Sequence, residues 1–235
     1  MQARTQPQID PHLAACPVFA GLASEALVRL SAAAGRHRYD RGQVVFRQGE
    51  PGDCMYVLTR GSVAISIQSS DGGVAVLAVL DPPAPFGELA VVDGGPRVAV
   101  ATAREPTELL RIARATVLHL VASEPAVGGA LIASLVAMVR RVDEQNSDLA
   151  LRDLPHRVRK HLLGAALRQH GSPPVVPGAA LPVDLRINQT ELATQVGGSR
   201  QQVNRILAGL ESAGAIERQG HRIVRVRPHL LAVEE

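Results

Sequence analysis

The sequence predicts an α+β protein: an N-terminal β jelly roll, one long helix and a C-terminal winged helix-turn-helix. Three observations predict it. From Arg38 to Ile112 short β-rich runs alternate with turn clusters, the spacing of a small antiparallel sandwich. From about Ala126 to Leu151 the pattern is helical, with apolar residues at alternating intervals of three and four. From Arg186 to Arg227 two short amphipathic segments lie about a turn apart and lead into a polar hairpin.

The elements follow in order. Pro17 to Gly35 reads as a helix, with Leu22, Leu27, Val28 and Leu30 spaced for one face. The strand runs are Val44–Phe46, Met55–Leu58, Val63–Ile67, Val74–Leu80, Val98–Ala103 and Leu109–Ile112. Turn clusters at Asp40–Gly42, Gly49–Asp53, Arg60–Gly61, Ser69–Gly73, Asp81–Pro85 and Asp93–Pro96 separate them. A short helix near Thr116–Val121 precedes the long one.

In the long helix Ile132, Leu135, Val139, Val142, Asn146 and Leu149 form a coiled-coil seam whose one polar position is Asn146. Arg140, Arg141, Glu144 and Asp148 surround that seam with charge. A homodimer is expected, the other reading being a helix packed on its own sandwich. Asp153 to Pro155 interrupts the pattern, and Pro155 suits the first turn of a helix running to about Gln169. Gly171 to Pro182 reads as a Pro/Gly-rich loop.

Within the helix-turn-helix, Asn188 or Thr190 caps the first helix, Gly197–Gly198 turns, and Ser199 caps the second helix. Gln219–Gly220 closes a hairpin between Ala215–Arg218 and Arg222–Val226. The second helix carries Ser199, Arg200, Gln201, Gln202, Asn204 and Arg205 on the face that Val203, Ile206, Leu207 and Leu210 leave free. Arg pairs with guanine and Gln with adenine through the major groove, so double-stranded DNA is the expected partner. A solvated polar face is the plainer alternative.

Charge agrees with the DNA reading. Residues 152–228 hold twelve Lys or Arg against five acids, while the whole chain carries +3, which leaves the rest about four net negative. A basic C-terminal part is what phosphates attract, though a basic solvated surface has the same composition. No apolar run approaches a membrane span and the N-terminus lacks a signal-peptide core, so a cytoplasmic protein without membrane association is expected.

Enzyme and metal chemistry find no foothold in the pattern. Two cysteines, Cys16 and Cys54, cannot build a four-thiolate cluster. There is no CxxC, HExxH, GxSxG or P-loop motif. His119 lies among apolar residues and reads as a partly buried core residue. Cys54, near a strand start, reads as a buried thiol, with redox sensing as the alternative.

The order of sandwich, long helix and winged helix-turn-helix resembles the CRP/FNR (catabolite activator) superfamily of bacterial transcription factors. The anchors are Phe46–Ile65 (FRQGEPGDCMYVLTRGSVAI), Phe86–Ala103 (FGELAVVDGGPRVAVATA) and Gly197–Leu207 (GGSRQQVNRIL). The resemblance implies an effector domain over residues 10–124, a dimerisation helix over 125–153 and a DNA-binding domain over 154–235. The middle anchor looks like a phosphate-binding cassette, which implies a cyclic nucleotide effector, cyclic AMP ahead of cyclic GMP, and no required cofactor.

A cyclic phosphate is an anion that needs a fixed cation and backbone N–H donors. Arg97 suits the first role and the N–H groups of Val98 and Ala99 the second. Glu88 matches the ribose-accepting carboxylate, between Gly87, which lets the backbone come close, and Leu89. The alternative is a structural Glu88–Arg97 ion pair bracing an empty turn. Ser62, Val142 and Asp143 match positions near the base, and Asn146, one turn further on, is the alternative to the latter two. Val98 replaces the usual Ser or Thr, which disfavours cyclic GMP, whereas Asp143 suits guanine as well as adenine.

On the DNA side Arg200, Gln201 and Arg205 match the catabolite activator's three principal base contacts, with Gln201 in place of a Glu. The implied half-site departs from the family TGTGA at the pair Gln201 faces. The resemblance also implies a palindromic operator and allows RNA polymerase contact through the Gly171–Pro182 loop. Two other readings stay open: a ligand-independent regulator with a vestigial pocket, and a cyclic-nucleotide-responsive protein-interaction module.

Overall fold

The computed structural model describes residues 8–68, 74–170, 179–185, 188–220 and 222–232. The chain divides into two compact units, Met1–Val139 and Arg140–Glu235. The predicted fold class holds: antiparallel sheets, then a long helix, then a helix-turn-helix with a wing.

In the first unit, β1 (Gly35–Tyr39), β8 (Thr107–Ala113), β3 (Cys54–Arg60) and β6 (Ala84–Phe86) form one sheet, in that order. The other sheet runs β2 (Val44–Phe46), β7 (Val100–Ala103), β4 (Val63–Gln68), β5 (Val74–Leu80). β3 explains how they pack. It is a central strand buried on both faces, so its side chains alternate between two cores. Met55 and Val57 join Leu110 and Ile112 of β8 against Phe19, which lies in a turn, and helical residues such as Leu30 and Val117. Cys54, Tyr56 and Leu58 face inward to Phe46, Val63, Phe86 and Ala101. Each fully buried Leu, Val or Phe of this kind stabilises the fold by about 1.5–3 kcal/mol.

The helices depart from the expected N-terminal one. α1 (Pro11–Ala15) starts at an Asp10 cap, and α2 covers only Ser24–Ala33. Gly35 belongs to β1 instead. A short helix α3 (Glu88–Asp93) follows β6, and α4 (Arg114–Ser123) precedes α5 (Pro125–Leu151). His119 is exposed, contrary to expectation, because Val117 and Leu120 take the inner face of α4. Among the described residues no His, Cys, Asp and Glu cluster is arranged for a metal.

Of the membrane expectations, the reading that no apolar run approaches a membrane span needs correction, and that reading alone. α5 is long and apolar enough to cross a membrane by length and composition alone, with an 18-residue stretch of mean hydropathy 1.4. Its Ala and aliphatic residues raise the hydropathy, and all of its charges come after Val139.

In the second unit α6 (Leu154–His170) packs Val158, Leu162 and Ala166 with Leu192 of α7 (Gln189–Gln195) and Val203 and Leu207 of α8 (Arg200–Ser212). The i, i+4, i+7 spacing of Val203, Leu207 and Leu210 makes the buried stripe of α8. The wing is a sheet of order β10 (Ile216–Gln219), β11 (Arg222–Val226), β9 (Leu181–Pro182). β9 occupies the end of the expected Gly171–Pro182 loop. Residues 171–178 of that loop and the Ser69–Gly73 turn lie outside the described residues. α9 (Pro228–Leu231) closes the core with Leu231.

Candidate functional site

The first candidate site is the turn around α3. Gly87 takes a left-handed conformation (φ 76°), and a Cβ there would come within 2.8 Å of Arg97 Nη1. Only glycine satisfies both constraints. Arg97 is placed by its own backbone: its N–H donates to Glu50 O and its carbonyl accepts from Gly49 N–H, each at 2.8 Å. Its side chain is 4% exposed, with Nη1 donating to Gly87 O at 2.8 Å and Nη2 to Cys54 Sγ at 3.2 Å. The guanidinium stacks on Phe46, 4.3 Å from the ring centroid, beside Tyr56 and Phe86. Arg97 Nε is buried and has no partner among the described residues.

Glu88 is buried on the same turn. Burial pushes its carboxyl up from the ordinary value, against the opposing pull of its own backbone N–H and of Arg97. No ion pair joins it to Arg97 among the described residues, so the bracing-pair alternative does not describe this turn. Leu89 is half-buried, Val98 exposed and Ala99 buried. Ser62 is buried at the β3–β4 turn, and its Oγ has no partner among the described residues. Gly87, Glu88 and Arg97 thus come together around one turn. Val142, Asp143 and Asn146 are exposed on the second unit's part of α5.

Sequence reasoning missed Phe46 and Cys54 as neighbours of Arg97. Composition held one signal: in a chain with 2% aromatic residues, three of the few rings gather here.

The second candidate site is α8. Ser199 Oγ accepts from Gln202 N–H at 3.2 Å, and Gln202 Oε1 accepts from Ser199 N–H at 3.0 Å, a reciprocal cap. Gln202 is therefore occupied locally while remaining exposed. Arg200, Gln201 and Arg205 are exposed on the open face. Asn204 departs from it: the residue is half-buried, and its Oδ1 is shielded and without a partner among the described residues. The cause is helical geometry, since Asn204 follows Val203 and shares its side with Leu207.

The turn before α8 is tightly built. Gly197 has φ 65°, and a Cβ on it would lie 2.4 Å from Leu149 Cδ2. Leu149, expected on the seam, thus packs partly on this turn. Arg157 of α6 donates from Nε to Val196 O at 2.7 Å and from Nη2 to Gly197 O at 3.2 Å, closing the carboxyl end of α7. A capping box at Asn188 opens α7, which decides between the two caps expected there.

Comparison with known proteins decides the family. A cyclic nucleotide-binding domain model matches residues 36–124, and a Crp-like helix-turn-helix domain model matches 156–233. A CRP-like cAMP-activated global transcriptional regulator of Mycobacterium tuberculosis is 33% identical over 216 residues, 92% of this chain and 95% of the relative. The chain belongs to the CRP/FNR family.

This CRP/FNR protein is a DNA-binding transcriptional regulator with a cyclic nucleotide-binding domain, and not an enzyme. The cyclic AMP receptor protein of Thermus thermophilus is 33% identical over 218 residues, covering 93% of this chain and 95% of its own. The crystal structure of the catabolite activator protein from the same organism gives a TM-score of 0.54 at 31% identity, covering 92% and 96% of the two chains. The c-di-GMP-responsive regulator CLP of Xanthomonas campestris gives a TM-score of 0.70 at 24% identity over 86% of this chain and 98% of its own, a likeness of fold.

Proposed function

We propose that this regulator works as a homodimer whose jelly roll binds a cyclic nucleotide, cyclic AMP first, and thereby controls attachment of paired α8 helices to a palindromic operator. One observation carries the reading: Arg97 is a buried cation with no carboxylate ion pair among the described residues and with Nε unpartnered. Burying such a charge is costly, and an anionic phosphate offsets that cost.

Arg97 holds the phosphate with the N–H groups of Val98 and Ala99, and Glu88 accepts the ribose hydroxyl beside Gly87 and Leu89. Ser62, Asp143 and Asn146 are the candidates for polar contact with the base, with Val142 as an apolar neighbour. The exposed seam of α5, where Ile132 is 64% and Val139 58% exposed, is covered by a second copy. Nucleotide acts by binding the DNA-competent arrangement more tightly than the other. Arg200, Gln201 and Arg205 read bases, Ser199 and Gln202 hold the helix end, and Asn204 supports from the inner side. The regulator acts in the cytoplasm, with RNA polymerase as a further partner.

Calorimetry with cyclic AMP and cyclic GMP tests the effector. Wild type binds, cyclic AMP more tightly, and Arg97→Ala binds about a hundredfold more weakly through loss of two charge-assisted hydrogen bonds. Heat with neither nucleotide overturns the effector reading and leaves a ligand-independent regulator.

A further inference from the structure

The partners of Arg97 are weak for a buried cation. A carbonyl takes Nη1, a sulfur takes Nη2, an aromatic face lies beneath, and Nε has no partner among the described residues. Thiol sulfur is among the weakest protein acceptors, whereas a phosphate oxygen forms a shorter, charge-assisted bond. The guanidinium is therefore oriented but under-satisfied.

Cys54 is itself 1% exposed and opens β3 beside Asp53. Hydrogen bonding from Cys54 is the first cause holding the Asp53 carboxyl below its ordinary range, and Arg111 pairs with that carboxylate at 2.7 Å. The thiol thus accepts from a buried cation and is the chain neighbour of a surface carboxylate.

We propose that Cys54 is a positioning residue of the effector pocket: its sulfur holds Arg97 Nη2 when no ligand is bound and yields it to an incoming phosphate oxygen. This inference rests on the cyclic-nucleotide reading above. It follows that the acceptor strength at position 54 sets nucleotide affinity. A hydroxyl there competes better with phosphate than sulfur does, and an apolar side chain of similar size does not compete at all.

The test compares the full chain with Cys54→Ser and Cys54→Val in two measurements. The first is ligand-free NMR of the arginine side-chain N–H groups, with Arg97 assigned by its loss in Arg97→Ala. Restricted Arg97 Nη signals are expected in wild type and Cys54→Ser, with faster rotation or exchange in Cys54→Val. Unchanged Arg97 signals in Cys54→Val overturn the proposal.

The second is calorimetry with cyclic AMP on variants whose melting shows them folded. Affinity is expected to fall about threefold to tenfold in Cys54→Ser and to rise by a similar factor in Cys54→Val, the scale of one hydrogen bond. A role in packing alone moves both the same way, and that result also overturns the proposal. If no variant binds nucleotide while the NMR change is present, the effector reading fails and the tuning role with it, whereas the contact with Arg97 stands.

Discussion

Lys160 Nζ lies 2.7 Å from Glu144 Oε1 and 2.7 Å from Asp148 Oδ2, so one ammonium ties α6 to the last turns of α5. The sequence places these two acids among the charges that surround the seam. They also brace the joint between α5 and α6.

Lys160→Met should lower stability by about 0.5–1 kcal/mol, because the pairs are partly exposed and solvent screens them. Burial alone would lower the lysine pKa, but its hydrogen bonds to Asp148 and Glu144 outweigh that and raise it. The contribution is therefore fully present below the ordinary value of 10.5 and is lost as pH rises through the raised one. Denaturation of wild type and variant at low and high salt checks this, with the difference shrinking in high salt.

Glu88 carries the opposite consequence. Its raised pKa means that the ionised carboxylate destabilises the ligand-free fold at neutral pH. That cost is full above the raised pKa and vanishes as pH falls through it toward the ordinary 4.5. Glu88→Gln should melt at a higher temperature than wild type at pH 7 and show no advantage below 4.5. It should also bind cyclic AMP about tenfold more weakly, by loss of a charged acceptor for the ribose. Paired melting and calorimetry series separate the two effects.

Gln201 sets a prediction about sequence. An amide can donate to and accept from adenine, whereas a carboxylate accepts from cytosine. Selection from random duplexes should recover a half-site that departs from TGTGA at one pair. Gln201→Glu should move the preference at that pair by about 1–3 kcal/mol. An unchanged TGTGA preference in wild type would count against the assignment.

The parts legible in sequence were those with strong local signals. The long helix, the caps at Asn188 and Ser199, and the wing strands all carry a period or a turn residue. β1 stayed hidden because Gly-Arg-His-Arg-Tyr is an edge strand, mostly exposed, with no apolar alternation to betray it. β6 lies partly within a Pro-rich turn cluster, where three residues pair with β3 through tertiary context alone. At the turn around α3, the cassette anchor had singled out Glu88 and Arg97 as neighbours. Cys54 was not singled out, because its contact with Arg97 joins residues 43 positions apart. Asn204 was misplaced because one residue's rotation on a helix separates an open face from a shielded one.

The most direct measurement is DNA affinity of the full chain for a selected symmetric duplex, with and without saturating cyclic AMP, beside Arg97→Ala. Cyclic AMP is expected to tighten wild-type binding by about 5- to 150-fold, the usual range of coupling, and to leave the variant unmoved. Equal wild-type affinity in both conditions would contradict that expectation.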